Sequence, residues 1–189
     1  ELDVIKNIVE NPVEIDLRNE DQTLQGIKQL YVNIGSFESS GYSPIARENE
    51  ILLKVHTFID IFKNQTLSQV LVFINKKSEA ALVHKTLNES GYPCELISSD
   101  LDQAERNKTL EDFKLGKKRI LVSSGLCKRG IDVQALSLVV CLDVPRMSDR
   151  NDYIHRVGRS GRYGRKGIAL HILTKQELDQ LQQIGAHFN

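Results

Sequence analysis

The sequence predicts an α/β fold in which a parallel β-sheet is covered by helices on both faces, a three-layer sandwich. Short, continuously apolar segments alternate with amphipathic segments along the chain, and such strands are typical of a sheet that is buried on both faces. Hydrophobic residues make up 40% and charged residues 26% of the chain, as in globular proteins. At 189 residues the chain is long enough to bury a core as one domain.

The predicted elements follow from hydrophobic periodicity. Apolar strands are predicted at residues 28–34, 70–74, 94–97, 119–122, 138–142 and 168–173. Amphipathic helices are predicted at residues 2–9, 49–63, 78–90, 103–115 and 176–184. Serine and glycine residues make segment 35–50 polar, and we expect a surface loop there.

Polar residues follow four of the predicted strands, at Asn75, Ser98, Ser124 and Asp143. In open parallel sheets, ligands bind outside the carboxyl ends of the strands. These ends therefore predict a binding edge.

Segment 153–167 carries arginines and glycines at a spacing of three. The arginines are Arg156, Arg159, Arg162 and Arg165, and glycines follow each of them at a distance of two. A solvated basic helix face is the alternative, but each exposed glycine inside a helix costs roughly 1 kcal/mol relative to alanine. Arginine matches phosphate oxygens with a planar, charged fork. Arginines three apart on a helix share a face. The segment thus predicts phosphate chemistry at a helix end.

Composition excludes several other classes. Lysine plus arginine and aspartate plus glutamate both number 25, so a polyanionic partner must be held by local clusters. No apolar run approaches the length of a membrane span. The three cysteines, Cys94, Cys127 and Cys141, lack metal-ligand spacing, and we expect free thiols in a reducing compartment, the cytoplasm or the nucleus. No metal site is expected within this chain.

Five segments in order resemble motifs of the DEAD-box RNA helicases, in their second RecA-like domain. They are residues 72–77, 102–106, 123–133, 139–145 and 155–162. The resemblance implies a RecA-like domain over residues 22–189, with the end of a preceding domain and a linker at 1–21. Segments 130–134 and 163–167 are most similar to the translation initiation factor 4A group.

On the ATP side, the resemblance implies residue roles position by position. Arg159 and Arg162 correspond to the arginine fingers that reach the γ-phosphate, and they are the expected catalytic residues. Gly130, Asp132 and Tyr163 correspond to contacts with the nucleotide. The resemblance also implies Mg²⁺ beside ATP, held by the amino-terminal domain.

On the RNA side, the expected contacts are Asn75, Arg106, Ser124, Gly125 and Lys128. Phosphate contacts position a strand without reading its sequence, so sequence-independent RNA binding is implied.

The implied partners are RNA, the chain's own amino-terminal RecA-like domain, and a helical scaffold or regulatory protein, with no membrane. Arg129, His155 and Arg156 are the expected interdomain contacts.

Two functions stay open at this point. The first is the carboxy-terminal half of an ATP-dependent RNA helicase, which we expect to be inactive alone because the phosphate cradle and the magnesium ligands are missing from these residues. The second is a non-catalytic RNA- or protein-binding module derived from a helicase domain. Gly125, which replaces an aspartate usual in the family, and Lys128, which replaces an alanine, favour the module. A related DNA helicase half fits the motifs less well.

Overall fold

The computed structural model describes residues 26–36, 43–63, 68–124, 136–161 and 166–188. Its strands are β1 (Ile27–Asn33), β2 (Gln69–Ile74), β3 (Cys94–Ile97), β4 (Ile120–Ser124), β5 (Leu136–Cys141) and β6 (Gly167–Leu173). Its α-helices are α1 (Pro44–Phe62), α2 (Lys77–Glu89), α3 (Gln103–Lys114), α4 (Asn151–Val157) and α5 (Lys175–Phe188), and a short 3₁₀ helix covers Met147–Asp149.

The described strands form one six-stranded sheet in the order β1-β6-β5-β2-β4-β3. Every neighbouring pair is parallel. Strands β4, β2 and β5 therefore lie side by side in the centre, although they are separated in sequence. Since parallel strands end at the same edge, the residues after these three strands are neighbours in space.

Helices cover both faces of this sheet. On one face, Val55 and Phe58 of α1 and Val83 of α2 pack in a single apolar cluster with alternate residues of the central strands. On the other face, Phe113 of α3 joins the opposite set of strand residues. Helices α4 and α5 contribute Tyr153, Val157, Leu181 and Ile184 to a third cluster on that face. The predicted three-layer α/β fold is confirmed.

Several boundaries differ from the sequence prediction. Helix α1 begins at Pro44, not at 49, because proline suits the first helical turn, where its missing N–H has no partner to lose. The predicted loop 35–50 is thus helical in its last part. Strand β4 continues to Ser124 and helix α5 to Phe188, beyond the predicted ends. The helix predicted at 2–9 lies outside the described residues.

The Arg/Gly segment departs from the helical arrangement expected of it. Helix α4 ends at Val157, and the Gly158 N–H donates to the Ile154 carbonyl at 2.8 Å. The prediction that arginines three apart would share a helix face is therefore wrong for Arg156 and Arg159, since only Arg156 lies on the helix. Gly161 has a φ of 71°, in the left-handed region that favours glycine.

Candidate functional site

Three polar residues lie together where the central strands end. Ser124 closes β4 and is paired in register with Ile74, the last residue of β2. Asn75 follows directly, and the Leu142 N–H donates to the Phe73 carbonyl at 3.0 Å, which aligns the end of β5 with that of β2. Asp143 is the next residue after Leu142. The prediction that Ser124, Asn75 and Asp143 meet at one edge of the sheet is therefore confirmed, at the ends of three adjacent strands.

Asn75, Asp143 and Arg156 form a closed hydrogen-bonded group, called here the central ring. Arg156 Nη1 donates to Asp143 Oδ1 at 3.0 Å, and Arg156 Nη2 donates to Asn75 Oδ1. The Asn75 main-chain N–H donates to the other carboxylate oxygen, Asp143 Oδ2. Arg156 and Asp143 are only 1% and 4% exposed. One guanidinium therefore links the ends of β2 and β5 to α4, largely shielded from water.

The surroundings of the central ring are apolar and aromatic. The Arg156 guanidinium lies 5.5 Å from the centroid of the Phe73 ring, a distance that permits a cation–π interaction. Burial raises the pKa of Asp143, against the opposing charge of Arg156. Burial, with a smaller effect from Arg156, lowers the pKa of His171 to about 3, so this imidazole is neutral at pH 7. The site thus holds one permanent cation against one carboxylate.

One sequence prediction needs correction at this point. Arg156 was expected at an interdomain surface, but its side chain is buried inside its own domain, where it is paired with Asp143. The RNA contact expected at Asn75 involves the backbone that follows it and stays a prediction, while the Asn75 side chain makes internal contacts: Nδ2 donates to the Val144 carbonyl at 2.9 Å and Oδ1 accepts from Arg156. Both side chains therefore link elements of the same domain.

Arg159, the expected catalytic arginine, lies two residues beyond the end of α4. Its main-chain N–H donates to the Arg156 carbonyl at 3.1 Å, and its Nε donates to the His155 carbonyl at 3.0 Å. Ser160, beside it, is buried and donates its hydroxyl to the Val157 carbonyl at 3.0 Å. The last turn of α4 therefore fixes the backbone that carries Arg159, while the side chain stays half-buried.

Two other predicted site residues lie at or near the same edge. His155 is exposed on α4, and its Nδ1 lies 4.0 Å from Asp152 Oδ1. Arg106 lies in the first turns of α3, which begins beyond the carboxyl end of β3. A capping box fixes this helix start, because Asp102 and Glu105 each accept a hydrogen bond from the other's main-chain N–H.

The remaining predicted site residues lie outside the described residues. They are Gly125, Lys128, Arg129, Gly130, Asp132, Arg162 and Tyr163. Within the described ranges, no three His, Cys, Asp or Glu side chains are grouped so as to hold a metal ion. None of the helices in those ranges has the length and apolar character needed to cross a membrane.

Sequence reasoning missed a second ionic group, called here the outer cluster. It joins helices α1, α2 and α5 and consists of Arg47, Glu50, Lys54, Glu79 and Glu177.

Lys54 is fully buried, and its Nζ donates to the Leu142 carbonyl at 2.7 Å and to Glu177 Oε2 at 2.5 Å. The sequence signal that could have indicated this burial is the position of Lys54 on the apolar stripe of α1, three residues from Ile51 and four from Phe58.

The chain matches a family model described as the helicase conserved C-terminal domain, over residues 53–164. It is 49% identical over 189 residues to the ATP-dependent RNA helicase eIF4A of Encephalitozoon cuniculi. That match covers 100% of this chain and 44% of the relative, so the chain spans less than half the length of the curated relative it matches.

Solved structures of similar fold come from DEAD-box proteins. The C-terminal domain of the DEAD-box protein Dbp5 has a TM-score of 0.72 and 27% identity, and the match covers 88% of this chain and 87% of that one. Saccharomyces cerevisiae Dbp5 bound to RNA and ADP BeF3 has a TM-score of 0.70 and 28% identity, over 90% and 42% of the two chains. A Dbp5 variant bound to Nup159, Gle1 and ADP has a TM-score of 0.69 and 26% identity, over 87% and 40%.

Proposed function

We propose that this chain, which belongs to the helicase conserved C-terminal domain family in its DEAD-box branch, is the carboxy-terminal RecA-like half of an ATP-dependent RNA helicase. The observation that carries the proposal is the arrangement of one sheet edge. Ser124 ends β4, Asn75 follows the adjacent strand β2, and the central ring ties Asn75 to α4, whose last turn leads into Arg159. RNA and nucleotide contacts can therefore share one rigid edge.

On the nucleotide side, Arg159 and Arg162 meet the charge that develops on the γ-phosphate during transfer. Arginine fingers of this kind stabilise the transition state of phosphoryl transfer. The hydrogen bond from the Arg159 main-chain N–H to the Arg156 carbonyl supports this role, because it fixes the backbone of the arginine beside the last turn of α4. Gly130, Asp132 and Tyr163 hold the nucleotide. Mg²⁺ neutralises phosphate charge when bound, and its ligands belong to the amino-terminal half.

On the RNA side, Ser124, Arg106 and the backbone after Asn75 contact phosphates, with Gly125 and Lys128 beside them. The hydroxyl of Ser124 and the start of α3 at Arg106 lie at carboxyl ends of neighbouring strands, where a phosphate chain can run along the edge. Contacts to phosphates give affinity that depends on salt and not on sequence.

The partners in this proposal are RNA and the amino-terminal RecA-like domain, with a helical scaffold or regulatory protein as a third. His155, which is exposed on α4, contacts the amino-terminal domain together with Arg129, whereas the buried Arg156 is left out of that role. The solved Dbp5 complexes with RNA and with Gle1 and Nup159 support the classes of partner. Free, buried thiols at Cys94 and Cys141 fit the reducing cytoplasm or nucleus.

ATP turnover with and without RNA tests the proposal. The chain alone should hydrolyse no ATP, because phosphoryl transfer also needs the phosphate cradle, metal and water positioning of the other half. The full-length protein, with that half present, should hydrolyse ATP faster when RNA is added. RNA binding without any RNA-stimulated turnover in the full-length protein would favour the non-catalytic module, which Gly125 and Lys128 support.

A further inference from the structure

We propose that the central ring couples the RNA side of this edge to the nucleotide side: a displacement of the chain at Asn75 on RNA binding is passed through Asp143 and Arg156 to Arg159. The inference rests on the proposed function and assigns Asp143 and Arg156 as positioning residues within it. Neither side chain needs to touch RNA or nucleotide for this role.

The first step is the division of Asp143 between two elements. Its Oδ1 accepts from Arg156 of α4, and its Oδ2 accepts from the main-chain N–H of Asn75 at the end of β2. A single planar carboxylate therefore fixes the distance between α4 and the start of the proposed RNA segment. Asp143 lies two residues beyond the end of β5, so the same carboxylate also connects Asn75 and Arg156 to a central strand of the sheet.

The second step is the fork of Arg156. Its two terminal nitrogens reach different residues, Asp143 and Asn75, so the ring closes on itself. At 1% exposure, no bulk water can replace a broken bond to this guanidinium. A buried charge that loses its partner is strongly unfavourable, so a shift of Asn75 favours a matching movement of Arg156 over a broken contact.

The third step joins Arg156 to the catalytic arginine. The Arg156 carbonyl accepts from the Arg159 N–H, and the neighbouring His155 carbonyl accepts from Arg159 Nε. Movement of the last turn of α4 therefore carries both the backbone and the side chain of Arg159. Lys76 and Lys77 directly follow Asn75 on the other side, at the start of α2, so a ligand held there acts on the ring through one peptide link.

Amide NMR of the chain titrated with a short single-stranded oligouridine tests the coupling. In the parent chain, RNA should shift the amides of the edge at 76–77 and Ser124, and also those of Gly158 and Arg159. In Asp143→Asn, the carboxamide has a single acceptor oxygen, and its NH₂ group would face an N–H donor. The variant can therefore accept only one of the two hydrogen bonds. The edge shifts should then persist while those of Gly158 and Arg159 are lost.

Val83→Ala is the matched control, since it loosens the buried core on the opposite face and touches no member of the ring. It should retain both sets of shifts. Arg156→Lys provides a second variant if Asp143→Asn does not fold, because it keeps the positive charge but cannot reproduce the planar fork. Arg156→Lys should behave as Asp143→Asn does, because keeping the positive charge at position 156 is not enough to restore the coupling.

The outcomes separate this inference from the proposed function. If RNA shifts only the edge amides in the parent chain, the coupling is wrong but the RNA site stands. The same holds if the shift at Arg159 persists unchanged in both variants. No RNA-dependent shift anywhere would overturn the RNA site and the coupling with it. In the full-length protein, the factor by which a nonhydrolysable ATP analogue tightens RNA binding should be on the order of 5–150-fold and fall close to 1 in either variant.

Discussion

Two ionic groups occupy the same edge of the sheet, and they are built differently. The central ring has one cation and one carboxylate, and each contact within it occurs once. In the outer cluster, Arg47 contacts three carboxylates and Lys54 contacts two. Arg47 is also 26% exposed at its side chain, against 1% for Arg156. The outer cluster can therefore lose a member and re-pair, whereas the central ring cannot.

The two ionic groups also differ in how burial and neighbouring charges shift the pKa values of their residues. Burial disfavours the ionised form of Glu79, but the hydrogen bond and charge of Arg47, together with Lys76, outweigh burial and lower its pKa. Next to the central ring, burial and, to a smaller extent, the positive charge of Arg156 lower the pKa of His171 to about 3. The outer cluster is thus stabilised by its charges. The ring region holds a charged pair and excludes further charge.

The largest effect should come from opening the central ring. We expect Asp143→Ala to lower the free energy of unfolding by about 3–5 kcal/mol, because it leaves the buried Arg156 charge without its carboxylate. Urea denaturation measures the loss. Asp60→Ala, at an exposed pair on α1, is the control and should change stability by less than about 0.5 kcal/mol. Similar losses in the two variants would show that the ring is no more critical than a surface pair.

The next largest effect concerns the free energy of unfolding at acid pH. With a folded pKa of about 3 for His171 against an ordinary value of 6.5, the unfolded chain binds the extra proton between these pH values. Stability contributed by this residue is full above pH 6.5 and falls by about 1.4 kcal/mol per pH unit below it. Tyr31 stacks on the imidazole at a centroid distance of 5.0 Å and the Tyr153 ring lies tilted at 5.6 Å, so Phe keeps an aromatic ring at this position.

We therefore expect His171→Phe to flatten the loss of stability between pH 6.5 and pH 4.5, measured by urea denaturation across that range. His56→Gln, at an exposed position on α1, should keep the parent slope. An equally steep slope in His171→Phe would mean that His171 accepts a proton in the folded chain.

The smallest effect should come from the outer cluster. Glu79→Gln should cost about 1 kcal/mol at neutral pH, since Arg47 keeps Glu50 and Glu177 as partners. Because the pKa of Glu79 is lowered on folding, its contribution is present above pH 4.5 and is lost as the pH falls through the folded value. The difference between parent and variant should vanish in acid. Glu89→Gln, exposed on the same helix, is the control.

The central strands were predictable from sequence because β2 and β4 contain continuous apolar runs, at residues 70–74 and 120–122, that are followed by polar residues. The prediction that Asn75, Ser124 and Asp143 meet at one edge followed from parallel strands alone. The burial of Lys54 and Arg156 was not predicted, since a charged residue on a helix is ordinarily solvated. Their partners, Leu142 and Asp143, are distant in sequence or on another element, and only tertiary packing brings them together.

The start of α1 was missed for a local reason. Serine and proline residues before 49 favour a loop by composition, but Pro44 is compatible with a first helical turn. The nucleotide contacts at Gly130, Asp132 and Tyr163 lie outside the described residues, so they stay predictions from the family resemblance.

The measurement that tests the central claim most directly is RNA-stimulated ATP turnover of the full-length protein carrying Arg159→Ala. An arginine finger contributes roughly 10³ to 10⁵ in rate, so we expect turnover to fall by at least ~100-fold while folding is retained. Arg159→Lys should fail as well, because an ammonium cannot reproduce the planar fork. Arg146→Ala, at an exposed arginine near α4, is the matched control and should keep the parent rate. Turnover near the parent rate in Arg159→Ala would contradict the finger assignment and favour the non-catalytic module.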